Sequence, residues 1–122
     1  MEIEELSDKI SKNMSFLKRC ECKTLAFLLV HAGEYKTSRE IERTTISRQP
    51  EVSMALSEFR RRKWIKEKQK HKTGEKGRPI KLIKLSKKPG VILNELINEV
   101  QESIDSKIEQ LNKLKEICKI FA

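Results

Sequence analysis

Apolar side chains recur at three- and four-residue steps in several stretches of the chain, and such spacing predicts amphipathic helices. Ile3, Leu6, Ile10, Met14 and Leu17 make residues 3–17 one of them. Leu25, Leu28 and Leu29 mark a second, from about Arg19 to His31, with Gly33 placed to stop it. Thr37-Ser38-Arg39-Glu40 has the form of a capping box, in which the Thr37 hydroxyl and the Glu40 carboxylate each satisfy an orphan backbone donor. It opens a short helix ending near Thr44. After the turn Thr45-Ile46-Ser47 another helix starts at Arg48 or Gln49, with Pro50 harmless in its first turn, and runs to about Lys63. The period then changes. Trp64 to Lys72 has no helical stripe, Ile80 to Leu85 is β-prone, and Thr73-Gly74-Glu75-Lys76-Gly77-Arg78-Pro79 between them is a turn signal. These residues predict a β-hairpin with a long basic tip. Pro89 sits near the start of a last helix that runs to about Phe121.

Two of these helices have faces that can be sorted. In the 48–63 helix Val52, Leu56 and Phe59 share one narrow stripe, the core side. Opposite lie Pro50, Ser53, Met54, Ser57 and Arg61, with Arg48 and Gln49 at the N-terminal end and Arg60-Arg61-Arg62-Lys63 at the other, where cations also complement the helix dipole. In the last helix Ile97, Ile104, Leu111 and Cys118 fall seven apart, with Val100, Leu114 and Phe121 interleaved. Lys107 interrupts this heptad series and Ile108 beside it widens the stripe. A helix of roughly 33 residues is about 50 Å long, more than a small core needs. The surplus stripe predicts a homodimer, with Ile3, Leu6 and Ile10 of the first helix joining the seam; the alternative is packing back on the same chain.

A length of 122 residues suits one domain, and the net charge is +9. Its distribution is uneven. Residues 1–33 hold five basic and five acidic side chains, residues 34–88 hold eighteen and seven, and residues 89–122 hold four and six. A middle segment of +11 between near-neutral arms suits a polyanion, whose condensed counterions are released on binding. A lysine-rich solvated surface is the plainer alternative. The acidic start Met1-Glu2-Ile3-Glu4-Glu5 is unlike a signal peptide, and the longest apolar run, Leu25 to Val30, is too short to cross a bilayer. Three cysteines make no disulfide framework. A cytoplasmic protein without a membrane partner is expected.

Helix, helix, turn, helix and basic hairpin is the order of a winged helix-turn-helix domain. Gln49-Pro50-Glu51-Val52-Ser53 followed by Leu56 resembles the recognition-helix pattern of ArsR-type and MarR-type regulators. Gly77-Arg78-Pro79 with Ile80 to Ser86 resembles the wing and return strand of related small regulators. The resemblance covers about residues 19–88, and it departs from the family in its turn, where Thr44-Thr45-Ile46 replaces the usual Gly, and at Met54, where a basic side chain is frequent. It implies a mainly α fold with a small β-hairpin wing (α+β). Residues 1–18 then form a dimer arm, 19–88 the DNA-binding domain and 89–122 a coiled-coil-like dimerisation helix. The partner implied is double-stranded DNA. Arg48, Gln49, Ser53, Met54, Ser57, Arg60 and Arg61 would face the major groove, where Gln pairs with adenine, Arg with guanine, and Met54 touches a thymine methyl. Thr37, Ser38 and Arg39 at the preceding helix, and Lys70, His71, Lys72, Lys76 and Arg78 in the wing, are the further expected DNA contacts. A wing of this kind lies along phosphates or puts an Arg into a narrow minor groove. Lysines on an edge hairpin also simply block sheet aggregation.

Cys20-Glu21-Cys22 resembles the Cys-x-Cys pair with which some ArsR-type sensors hold soft metals, but residues two apart on a helix point in nearly opposite directions. The small-hydrophobe reading of Cys20, Cys22 and Cys118 is preferred, and no metal or cofactor is expected. His31 reads as a capping or packing residue. Neither a nucleophile elbow, nor a P-loop, nor a carboxylate pair in a Gly-framed loop is present, so the expectation is a binding protein and not an enzyme. A homodimeric, sequence-specific regulator leads. An architectural or RNA-binding winged helix, a protein-interaction module and a thiol sensor remain as rivals.

Overall fold

Leu25, Ala26, Phe27 and Leu28 form an unbroken buried run, which a helix shows only when it is enclosed on more than one side. They belong to α2 (Arg19–Val30), which packs against α1 (Ile3–Asn13), α3 (Ser38–Thr45) and α4 (Gln49–Arg61). The computed structural model describes residues 2–14, 16–70 and 79–122. The chain divides into two units, Met1–Pro89 and Gly90–Ala122. The first holds all of these helices and a three-stranded antiparallel sheet of β1 (Lys36–Thr37), β2 (Ile65–Lys70) and β3 (Ile80–Leu85) in the order β1-β3-β2. Ile65 pairs with Leu85 and Lys70 with Ile80, so the strands run in full register along the hairpin. The second unit is α5 (Pro89–Ile120) and its last residues.

The core of the first unit is closed by Phe59 and Trp64, whose rings lie 5.4 Å apart between centroids. Arg62 caps Trp64 with its guanidinium 4.9 Å from the ring. Backbone bonds hold the corner: Trp64 N–H donates to Phe59 O at 2.9 Å, and Ser86 N–H donates to Trp64 O at 2.7 Å.

Several boundaries differ from expectation, each for a local reason. The first helix ends at Asn13, because Met14 is extended at φ −141°, and Leu17 is buried outside any helix. The helix expected to reach Lys63 stops at Arg61, with Lys63 left-handed at φ 62°. Only half of the capping box forms: Thr37 Oγ1 accepts from Glu40 N–H at 3.1 Å, while the Glu40 carboxylate turns to Lys36 Nζ at 3.8 Å. The reciprocal half appears instead at α4, where Arg48 N–H donates to Glu51 Oε1 at 3.1 Å. The hairpin is also joined by a third strand, with Lys36 opposite Ile83 and Thr37 opposite Leu82. Two residues are too short to show a strand period.

Ile46 takes the place of the missing turn glycine. It is left-handed at φ 52°, a conformation that crowds a β-branched side chain, and it is 89% exposed.

Candidate nucleic-acid interface

The faces of α4 follow from its period. Val52, Ala55, Leu56 and Phe59 are buried, which leaves Gln49, Ser53, Met54, Ser57, Arg60 and Arg61 exposed on the other side, with Arg48 exposed as the N-cap. Met54 is 53% exposed, a large apolar group in water between two serines' turns of helix. Thr37 caps α3, Ser38 opens it half-buried, and Arg39 is exposed. Ser38, Gln49, Ser53, Leu56, Arg60, Lys81 and Ile83 line a groove of about 180 Å³ between the start of α3, the outer face of α4 and strand β3.

Electrostatics tie this groove together. Glu67 on β2 accepts from Arg60 Nε at 2.8 Å and pairs with Lys81 Nζ at 2.6 Å. Burial acts to raise its pKa, but the hydrogen bonds from Lys81 and Arg60 outweigh that and hold the carboxyl below its ordinary value. Glu58 does the same for the end of α4. The hydrogen bond from Arg61, with that from Arg62 and against the effect of burial, lowers its pKa to about 2. Arg60 and Arg61 are therefore presented already oriented by carboxylates. Neither Glu67 nor Lys81 is among the residues expected from sequence. The alternation Ile65-Lys66-Glu67-Lys68-Gln69-Lys70 places Glu67 on the inward face, and only the pairing with β3 brings Lys81 beside it.

The same alternation sends Lys66, Lys68 and Lys70 to the opposite face of the sheet, with Lys84 directly across from Lys66. Tyr35 lies among them, its ring centroid 4.1 Å from Lys68 Nζ and 5.1 Å from Lys84 Nζ. Such contacts offset part of the repulsion between like charges on neighbouring strands. Of the expected wing contacts, Lys70 is exposed at the end of β2, whereas His71, Lys72, Lys76 and Arg78 lie outside the described residues.

The residues expected at a dimer seam separate into two sets. Ile10 is buried by the packing of α1 on α2, and Ile3 and Leu6 are half-buried, so the structure gives Ile10 to one chain's own core. On α5, Ile97, Ile104, Leu111, Leu114, Cys118 and Phe121 are exposed and Val100 is half-buried. A second cavity, of about 270 Å³, lies between α1, the start of α2 and the turn after α3, lined by Ile3, Ser7, Arg19, Lys23, Thr45 and Ile46 among others. Cys22 is fully buried and Cys20 half-buried; burial first, and the neighbouring Glu21 second, push both thiols up. Among the described residues no three His, Cys, Asp or Glu side chains converge as metal ligands. His31 caps α2 by its backbone, meets Glu34 Oε2 at 3.0 Å through Nδ1 and packs on Phe27. Among the described residues no helix is long and apolar enough to cross a membrane.

No family model matches the chain, and no curated protein matches it by sequence. Solved structures do resemble it. The possible transcriptional regulator from Methanosarcina mazei Go1 superposes with a TM-score of 0.67 at 13% identity, over 87% of this chain and 86% of that one. A mutant MepR from a multidrug-resistant Staphylococcus aureus clinical isolate gives 0.53 at 20% identity, over 88% and 72%. Another S. aureus MepR mutant, bound to an oligodeoxyribonucleotide, gives 0.50 at 20% identity, over 88% and 73%. At such identities the likeness is one of fold. The chain has a winged helix-turn-helix fold of the kind found in MarR-like regulators, mostly helical with a small antiparallel sheet and a long C-terminal helix.

Proposed function

We propose that this chain is a transcriptional regulator that binds double-stranded DNA sequence-specifically as a homodimer in the cytoplasm, acting by binding and not by catalysis. In this reading α4 enters the major groove and the basic hairpin follows the backbone or the minor groove. One observation carries it: on a fold that in one solved relative is bound to an oligodeoxyribonucleotide, α4 presents Gln49, Ser53, Met54 and Ser57 outward, flanked by Arg60 and Lys81. Donors and an apolar tip suited to base edges thus lie beside a pair of cations suited to phosphates. Thr37, Ser38 and Arg39 supply further backbone contacts, and the apolar stripe of α5 joins the two copies.

Lys66, Lys68, Lys70 and Lys84 on the outer face of the sheet favour a second reading, a sequence-independent architectural or RNA-binding protein, because lysines there contact only backbone. Selection of bound duplexes from a random DNA pool separates the two. A near-palindromic sequence enriched over the pool, with a log–log salt slope near about −5 for roughly six phosphates, is expected. Unselective binding of equal strength favours the architectural reading, and a flat titration at low salt refutes both.

A further inference from the structure

The cavity of about 270 Å³ between α1, the start of α2 and the turn after α3 is lined by charges that the fold leaves unused. We propose that it is a binding site for a small zwitterion of the amino-acid type, its anionic group held against α2 and its cationic group against α1. Arg19 and Lys23 stand on the α2 wall, Glu4 and Asp8 on the α1 wall. On each helix the two like charges are four residues apart, neighbours on one face, an arrangement that costs helix stability. Pairing across the gap would offset that cost. Among the described residues none of the four makes an ion pair or a side-chain hydrogen bond, and the pair that α1 does form, Lys9 with Glu5, lies outside the lining.

The arrangement of these charges selects the ligand. Helix α2 begins with no side chain capping it, and its first turn is the positive end of the helix. Two cations there, with no acid bound to them, suit an anionic group of an occupant. The lining holds two positive and two negative side chains, so a simple anion gains at one wall and loses at the other. A zwitterion gains at both.

Two uncharged side chains support an occupant independently. Ser7 lies in the lining and is only 6% exposed, yet its hydroxyl has no hydrogen-bond partner among the described residues. Leaving such a group unpaired costs free energy that a ligand's polar atom recovers. Ile46 lines the cavity from the turn between α3 and α4, left-handed and almost wholly exposed. Backbone strain persists where a side chain has a use, and here the use is an apolar contact to the occupant, shared with Ile3 of α1. Size agrees with this class. A cavity of ~150 Å³ suffices for benzene, so one of about 270 Å³ takes roughly ten non-hydrogen atoms, those of a middle-sized free amino acid.

Calorimetric titration of the full chain with a panel of free amino acids reads the site directly. One member, or a small group of similar ones, is expected to bind saturably, one per chain. Its N-acetyl derivative, which lacks the cation, and its amide, which lacks the anion, should each bind more weakly by about tenfold or more. Lys23→Gln and Asp8→Asn should do the same from the protein's side. Each removes one of two like charges, so the free variants are expected to keep their Tm, which calorimetric melting checks. Should Lys23→Gln lose its fold, Arg19→Gln reports on the same wall. No binding by any member at millimolar concentration overturns the site. Binding that neither variant weakens puts the ligand elsewhere and overturns it equally. Equal binding of the N-acetyl derivative overturns the zwitterion class, and with it the part given to Glu4 and Asp8.

Discussion

Arg60 of α4 is bound to Glu67 of β2 through both Nε, at 2.8 Å, and Nη2, at 2.7 Å. Seven residues and a change of secondary structure separate them, and Lys81 of β3 holds the other oxygen of the same carboxylate. The helix expected to read bases and the hairpin expected to follow phosphates are thus joined by one acid. In free protein that acid orients two cations at the edge of the groove. Against DNA it also repels the phosphates they would meet.

Replacing Glu67 by Gln removes that repulsion and releases both cations. Affinity for random-sequence duplex is expected to rise several-fold, with a salt slope steeper by about 1, while discrimination between preferred and random sites narrows. Fluorescence anisotropy over a salt series reads all three. Unchanged discrimination would show that Arg60 needs no fixing.

Base reading and backbone holding fall on different residues of the groove. Gln49→Ala should cost about 1–3 kcal/mol on the preferred site, less on others, and alter the selected sequence. Lys81→Ala should weaken every duplex by a similar factor and reduce the salt slope by about 1. Repeating the random-pool selection with each variant distinguishes them.

Acid should loosen the end of α4 before the rest of the unit. Glu58 titrates in the folded chain at about 2, below its ordinary value of 4.5. A carboxylate with a depressed folded pKa contributes stability that is complete above its unfolded value and is lost as pH falls toward the folded one. Glu67 acts with the same sign. Thermal stability is expected to be flat above about pH 5 and to fall steadily below it. Glu58→Gln should lower stability at neutral pH by about 1 kcal/mol or less, as for solvent-screened ion pairs, and flatten the acid slope.

The strained turn can be relieved. Ile46→Gly removes the left-handed crowding of a β-branched residue and sacrifices little packing, since the side chain is 89% exposed. A gain of about 1 kcal/mol, or about 4 °C in Tm, is expected by calorimetry. Ile46→Val, which keeps the branch, should give none of it.

Leu111→Lys tests the seam without touching the core, because Leu111 is half exposed in the single chain. The variant should keep its circular dichroism, sediment as a monomer and bind the selected site at least tenfold more weakly. A monomer that still binds at full strength would show that the two half-sites need no dimer.

Much of this protein is legible locally. The faces of α4 and the stripe of α5 follow from a helical period that any fold would respect, and β3 occupies the expected Ile80–Leu85 because its residues are mostly Ile and Leu and its flanks carry Pro and Ser. A period assigns each side chain to a face but says nothing about which element that face will meet. That choice is made by distant parts of the chain. Ile10 has the same spacing whether it meets a second copy or α2, and only the packing of α1 on α2 decides it. The two residues of β1 are a strand only because β3 lies beside them. Glu67 is one charge among many in a basic strand until the hairpin register sets Lys81 against it and α4 brings Arg60 above it. The elements and their faces were determined by the sequence; the partners of those faces, and so the acid that joins Arg60 to Lys81, were decided by the tertiary structure, because burial and ion pairing are contacts between residues far apart in the chain.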